Sequence, residues 1–125
     1  MKRTFIIALG ALTISATNAS AGTLISVKSD IGKVVAAAET GLTLYTFRND
    51  SKNKSNCYND CAAAWPPFMA SDSAKAEGGL GIIKRKDGTR QYALNGKPLY
   101  FWAGDSKKGD ATGDGVGGVW DAVRN

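Results

Sequence analysis

Ile82-Ile83-Lys84-Arg85-Lys86-Asp87-Gly88-Thr89-Arg90-Gln91-Tyr92-Ala93-Leu94-Asn95-Gly96-Lys97-Pro98-Leu99-Tyr100-Phe101-Trp102 reads as three short strands joined by two tight turns. Asp87-Gly88 and Asn95-Gly96 supply the positive φ angles that hairpins of this kind require, and strand-length runs carrying β-branched and aromatic residues lie between and beyond them. The stretch is predicted to be a three-stranded meander. Toward the N-terminus, Leu24–Lys28, Lys33–Ala37 and Leu42–Phe47 repeat the outline, with weaker turns at Ser29-Asp30-Ile31-Gly32 and Glu39-Thr40-Gly41.

The likeness between the two stretches is a sequence repeat. At an offset of 55 residues Gly41, Leu44, Tyr45, Asp50, Ser51, Lys52 and Trp65 fall on Gly96, Leu99, Tyr100, Asp105, Ser106, Lys107 and Trp120, while Phe47 falls on Trp102. A period of this order marks a duplicated supersecondary unit, here about 24–68 and 79–121. Beyond each third strand a polar loop runs to the shared Trp. The first, Cys57 to Trp65, holds an Ala run that predicts a short helix stopped by Pro66-Pro67. The second, with Gly109, Gly113, Gly115, Gly117 and Gly118, is too glycine-rich for a helix. The expectation is an all-β domain of two tandem three-stranded meanders with one or two short helices.

Residues 1–21 have the layout of a cleaved secretory signal: basic Lys2 and Arg3, an apolar run from Phe5 to Ile14, then Ala19-Ser20-Ala21. The run is shorter than the roughly 20 apolar residues that a spanning helix needs. Cleavage after Ala21 leaves a single secreted domain at 22–125, periplasmic or extracellular, with no transmembrane segment. Its only cysteines, Cys57 and Cys61, stand far from the cleavage point, so attachment of a lipid to an N-terminal Cys is not expected. Loss of Lys2 and Arg3 takes the formal charge of +5 to +3, too mild to argue for nucleic acid. Lys84-Arg85-Lys86, beside Asp87-Gly88, reads as a solvated strand end.

The absence of His from the chain removes Ser-His-Asp and Cys-His nucleophiles, His-ligated zinc and the usual haem attachment motif. Three constellations remain. Cys57 and Cys61, an exported pair, are expected to form a structural disulfide; as thiolates they and Met69 are a soft set able to hold copper. Asp110, Thr112, Asp114 and Asp121 have nearly the spacing of a calcium loop, with Gly115 at its sixth position, although position 12 is Asp and the flanks are not helical. Asp50 and Asp105 would form a paired-carboxylate site if the repeats brought them together. The expected alternative is that Tyr45, Phe47, Tyr100 and Trp102 fill the core and that the aspartates pin loops.

The run Gly41-Leu42-Thr43-Leu44-Tyr45-Thr46-Phe47-Arg48-Asn49-Asp50, followed by Cys57, Cys61 and Trp65-Pro66-Pro67, has a second copy from Asn95-Gly96 through Tyr100, Trp102 and Asp105 to Gly117-Gly118-Val119-Trp120. This pattern, over residues 24–121, resembles the bacterial secreted-repeat family of predicted lipoproteins, with its Tyr-x-aromatic-x-x-Asp motif. That family carries no established activity, so the resemblance implies export and a repeat fold but no chemistry. The chain differs from many members in lacking the lipid-bearing Cys. The reading that follows is a non-catalytic envelope module binding a protein, glycan or small ligand. The alternative is a periplasmic redox or copper-handling protein using Cys57, Cys61 and Met69.

Overall fold

The structure, a computed structural model, describes residues 22–125; the signal at 1–21 lies outside the described residues. The elements are β1 (Leu24–Ser29), β2 (Gly32–Ala37), β3 (Tyr45–Phe47), α1 (Asp60–Ala64), β4 (Met69–Ala70), β5 (Leu80–Lys84), β6 (Arg90–Leu94), β7 (Lys97–Pro98), a 3-10 turn (Val116–Gly118) and β8 (Trp120–Ala122). The chain is an all-β domain, and every strand pairing is antiparallel. The hairpins fall where the turn residues put them. Leu94 pairs with Lys97 across Asn95 (φ 52°) and Gly96 (φ 86°), both left-handed as this two-residue turn demands.

The third strand of each repeat behaves differently from a simple meander. After Leu99 the chain leaves β6, and Tyr100 exchanges backbone hydrogen bonds with Tyr45 of the first repeat, 2.8 and 3.0 Å long. In the first repeat β3 pairs with β8 of the second, Phe47 opposite Trp120. Other bonds come in matching pairs: Phe68 N–H to Leu99 O and Val123 N–H to Leu44 O, both 2.9 Å, and Leu44 N–H to Val35 O and Leu99 N–H to Tyr92 O, both 3.0 Å. The repeats are thus related by a pseudo-twofold axis between Tyr45 and Tyr100, and each completes its backbone pairing on the other. A short strand with one buried edge finds its partner wherever that edge is met, and local alternation does not specify which.

The core follows the same symmetry. Trp65 and Trp120 stack at 3.8 Å with a 3° tilt, flanked by Trp102 on Trp65 and Phe47 on Trp120, both at 4.2 Å. Tyr45 and Tyr100 meet this stack edge-on, at 5.3 and 5.2 Å. The edge-to-face contacts add to the burial of large rings, while the central Trp pair lies nearly face to face. Gly113 lies against the stack: a Cβ there would come 2.8 Å from Trp65 and 2.9 Å from Trp102. A second cluster gathers Ala37, Leu44, Phe68, Leu80 and Leu99 on the far side of the paired strands.

The loops follow the sequence reading, and one detail beside them is corrected. α1 forms on the Ala run and ends before Pro66, with Trp65 N–H donating to Cys61 O. The glycine-rich loop forms no regular helix: at the position equivalent to α1 it closes consecutive turns, Val116 N–H to Gly113 O, Gly118 N–H to Gly115 O and Val119 N–H to Val116 O, in which Gly115, Gly117 and Gly118 take positive φ angles of 83°, 62° and 73°. Arg85, expected at a solvated strand end, is 6% exposed.

Candidate functional site

The motif residues converge on the pseudo-twofold axis and cross it. Tyr45 Oη donates to Asp105 Oδ2 at 2.6 Å, and Tyr100 Oη donates to Asp50 Oδ2 at 2.7 Å, so each tyrosine is held by the aspartate of the opposite repeat. Each aspartate also takes a backbone N–H from its own loop: Asn56 to Asp50 at 2.7 Å and Thr112 to Asp105 at 3.0 Å. The Thr112 hydroxyl adds a bond to Asp105 at 2.7 Å. Tyr45 Oη accepts from Gly113 N–H at 3.1 Å, and Tyr100 Oη shares a 2.7 Å bond with Ser55 Oγ.

Burial fixes the protonation of this network. Both tyrosines are fully buried, and burial, reinforced by the facing carboxylates, pushes both hydroxyls well above their ordinary value, so they act as donors. Burial also raises Asp50 above the ordinary carboxylate value, opposed by Asn56 N–H, the Tyr100 hydroxyl and the Arg85 charge. Asp50 and Asp105 face different tyrosines, and among the described residues no hydrogen bond joins the two carboxyl groups. A shared proton between paired carboxylates needs the direct contact that this arrangement replaces.

Arg85 extends the network on one side only. Its Nη1 donates to Ser55 Oγ (3.0 Å) and Gln91 Oε1 (2.9 Å), its Nη2 donates to Cys57 O (2.7 Å), and the Tyr58 ring covers the guanidinium at 4.2 Å. Gln91, fully buried, passes its own amide on to Leu99 O. Sequence reasoning missed this cluster. The usable signal was β6 itself, whose inward face alternates Gln91 and Ala93 and therefore places an amide where it must find polar partners.

The remaining candidates are dispersed. Asp110 accepts from Ser106 N–H, Lys107 N–H and Lys107 Nζ, which hold its carboxyl down at about 2. Asp114 accepts from Ala122 N–H and Arg124, Asp121 is gripped by two nitrogens of Arg48 at 2.8 Å, and Thr112 serves Asp105. The calcium set therefore points to four different places, and among the described residues no three acidic, His or Cys groups gather as metal ligands. Cys57 and Cys61 are joined to each other, while Met69 lies 46% exposed on β4; in this oxidised form the pair offers copper no thiolate. No described helix is long and apolar enough to cross a membrane.

A cleft of about 470 Å³ opens beside the motif strands, lined by Phe47, Arg48, Asp50, Lys52, Asn95 and Lys97 among others. It borders both repeats, and its volume lies within the range of small-ligand sites.

Comparison with known proteins agrees with the repeat seen in the backbone pairing. A family model described as a secreted repeat of unknown function matches twice, at residues 25–69 and 81–124. Searches of curated proteins and of solved structures returned no match. The two family matches cover most of the chain and coincide with the two halves related by the pseudo-twofold axis. The protein is an exported member of this secreted-repeat family, carrying two copies of the repeat in one domain.

Proposed function

We propose that the protein is a non-catalytic binding module of the cell envelope, in which the repeated motif is scaffold and the partner is met by the surface around it. The observation that supports this reading most is the crossing of the Tyr–Asp pairs. Both hydroxyls and both carboxylates are consumed by each other and by loop N–H groups, so the most reactive-looking residues have internal partners. What faces outward is an open cleft where Phe47, Lys52 and Lys97 stand with the Arg48–Asp121 pair and Asp50, suited to holding a protein segment, glycan or small ligand rather than to transferring a proton. The redox or copper alternative would require Cys57 and Cys61 as thiolates.

The substitutions Asp50→Asn and Asp105→Asn test the scaffold role. Each should lower unfolding free energy by about 1–3 kcal/mol, because a charged acceptor of buried donors becomes a neutral one. The catalytic reading predicts instead that at least one leaves stability unchanged or raises it, as relief of like-charge repulsion would.

A further inference from the structure

The two repeats offer an internal comparison. Strand registers set Lys28 opposite Lys33 in one hairpin and Lys84 opposite Arg90 in the other, which makes Ser29 the counterpart of Arg85. In the second repeat the Arg85 side chain fills the gap between its hairpin and the Ser55–Cys57 loop. In the first, the Ser29 hydroxyl turns back onto Gly32 O and Ile31 N–H of its own turn. The facing loop still comes close, since a Cβ on Gly109 would lie 3.2 Å from Lys28 O. An open cleft of about 570 Å³ lies here, lined by Lys28, Ser29, Lys33, Lys107, Lys108 and Asp110 among others.

Its charge is unbalanced. Lys107 pairs with Asp110 at 3.2 Å, and that carboxylate is further occupied by two backbone N–H groups. Lys28, Lys33 and Lys108 have no carboxylate within ion-pair distance among the described residues, and Asp30 on the turn is the one other acid at the rim. Lys28 directly opposite Lys33 is a like-charge pair that weakens the hairpin. The other hairpin carries a like pair, Lys84 opposite Arg90, but there Arg90 is spent on Ser71 O, Asp72 O and Ala74 O, whereas among the described residues no carboxylate pairs with the Lys28 or Lys33 ammonium. No aromatic ring lines the cleft, so there is no platform for stacking a sugar, and ammonium groups attract concentrated point charge. We propose that this cleft binds a phosphate-bearing anion through Lys28, Lys33 and Lys108, where the other repeat has its own guanidinium. The assignment rests on the binding-module reading and names the chemistry of the ligand.

Isothermal titration of the folded protein with inorganic tripolyphosphate tests it, alongside sedimentation with vesicles of phosphatidylglycerol or of phosphatidylcholine. Saturable binding of tripolyphosphate is expected, weakening several-fold between about 50 and 200 mM salt as screening grows. Lys28→Gln with Lys33→Gln should reduce affinity about tenfold, at up to roughly fivefold per exposed charge. Lys54→Gln with Lys84→Gln, both exposed and outside either cleft, should leave affinity within about twofold. Tripolyphosphate binding together with sedimentation by phosphatidylglycerol vesicles alone would identify the source as a lipid headgroup; tripolyphosphate binding without sedimentation, as a soluble or glycan-borne phosphate. The double Lys→Gln variant removes a like-charge pair, so it keeps the fold and decides the matter. No binding by folded wild type, or equal binding by that variant, overturns the site and leaves the binding-module reading standing. Release of inorganic phosphate from the probe overturns the non-catalytic reading instead.

Discussion

Replacing Arg85 by Met keeps most of the aliphatic volume and removes three donated hydrogen bonds, to Ser55 Oγ, Gln91 Oε1 and Cys57 O. Gln91 Oε1 and Cys57 O are buried and lose a charged donor, each such bond being worth about 1.5 kcal/mol, while Ser55 Oγ keeps Tyr100 Oη and Cys57 N–H. Against roughly 3 kcal/mol lost stands the relief of no longer desolvating a cation, on the order of 1 kcal/mol here because a guanidinium is only weakly hydrated. The net expectation is a loss of about 2 kcal/mol, or roughly 10 °C in Tm for a domain of this size. Urea unfolding followed by tryptophan fluorescence reports the change, with the slope preserved if the transition remains two-state. A second readout is specific to the network. Arg85 opposes the burial that raises Asp50, so the Asp50 carboxyl in Arg85→Met should titrate at higher pH than in wild type. A variant within about 0.5 kcal/mol of wild type, the range of a surface substitution, would refute the assignment of Arg85 to a buried role.

Two further outcomes follow from the loops. Asp110 is held at about 2, below its ordinary 3.8, so its contribution to stability is full above pH 4 and is lost as pH falls toward 2; the Tm gap between wild type and Asp110→Asn should close over that window, and a constant gap would count against the Asp110 turn. The disulfide should be inert: thiol labelling of the folded, oxidised protein should find no free sulfur, and Cys57→Ser with Cys61→Ser should lower stability by roughly 2 kcal/mol, whereas tight binding of one Cu(I) by the reduced protein would favour copper handling.

The hairpins were legible because their determinants are local. Asn95-Gly96 allows few backbone choices, and the run on either side has strand length. The partners of Tyr100 and β3 were not legible, since a period of two fixes which face is buried but not which strand lies alongside. Arg85 was misread because a run of three basic residues resembles a surface, and only its pairing with the inward Gln91, six residues on, reveals otherwise. The calcium-like spacing misled for the opposite reason: Asp114 and Asp121 are close in sequence, yet one turns to Ala122 N–H and Arg124 and the other to Arg48. The lysine cleft joins residues about eighty positions apart, a distance over which composition is silent. The Tyr-to-Asp spacing marked the right residues, but not that each pair would be completed by the other repeat.

That exchange between repeats is the central claim, and a double-mutant cycle on Tyr45→Phe and Asp105→Asn tests it most directly. The residues are 60 apart in sequence and joined by one 2.6 Å bond, so the unfolding free energies of the two single variants and the double variant isolate that contact. Removing the Tyr45 hydroxyl also leaves Gly113 N–H without its acceptor, a loss that belongs to the single variant and cancels in the cycle. The account predicts a coupling of about 1–2 kcal/mol for a buried bond to a charged acceptor, and near-zero coupling for Tyr45→Phe with Asp50→Asn, which lies in the same repeat. Coupling within a repeat and none across the axis would contradict it.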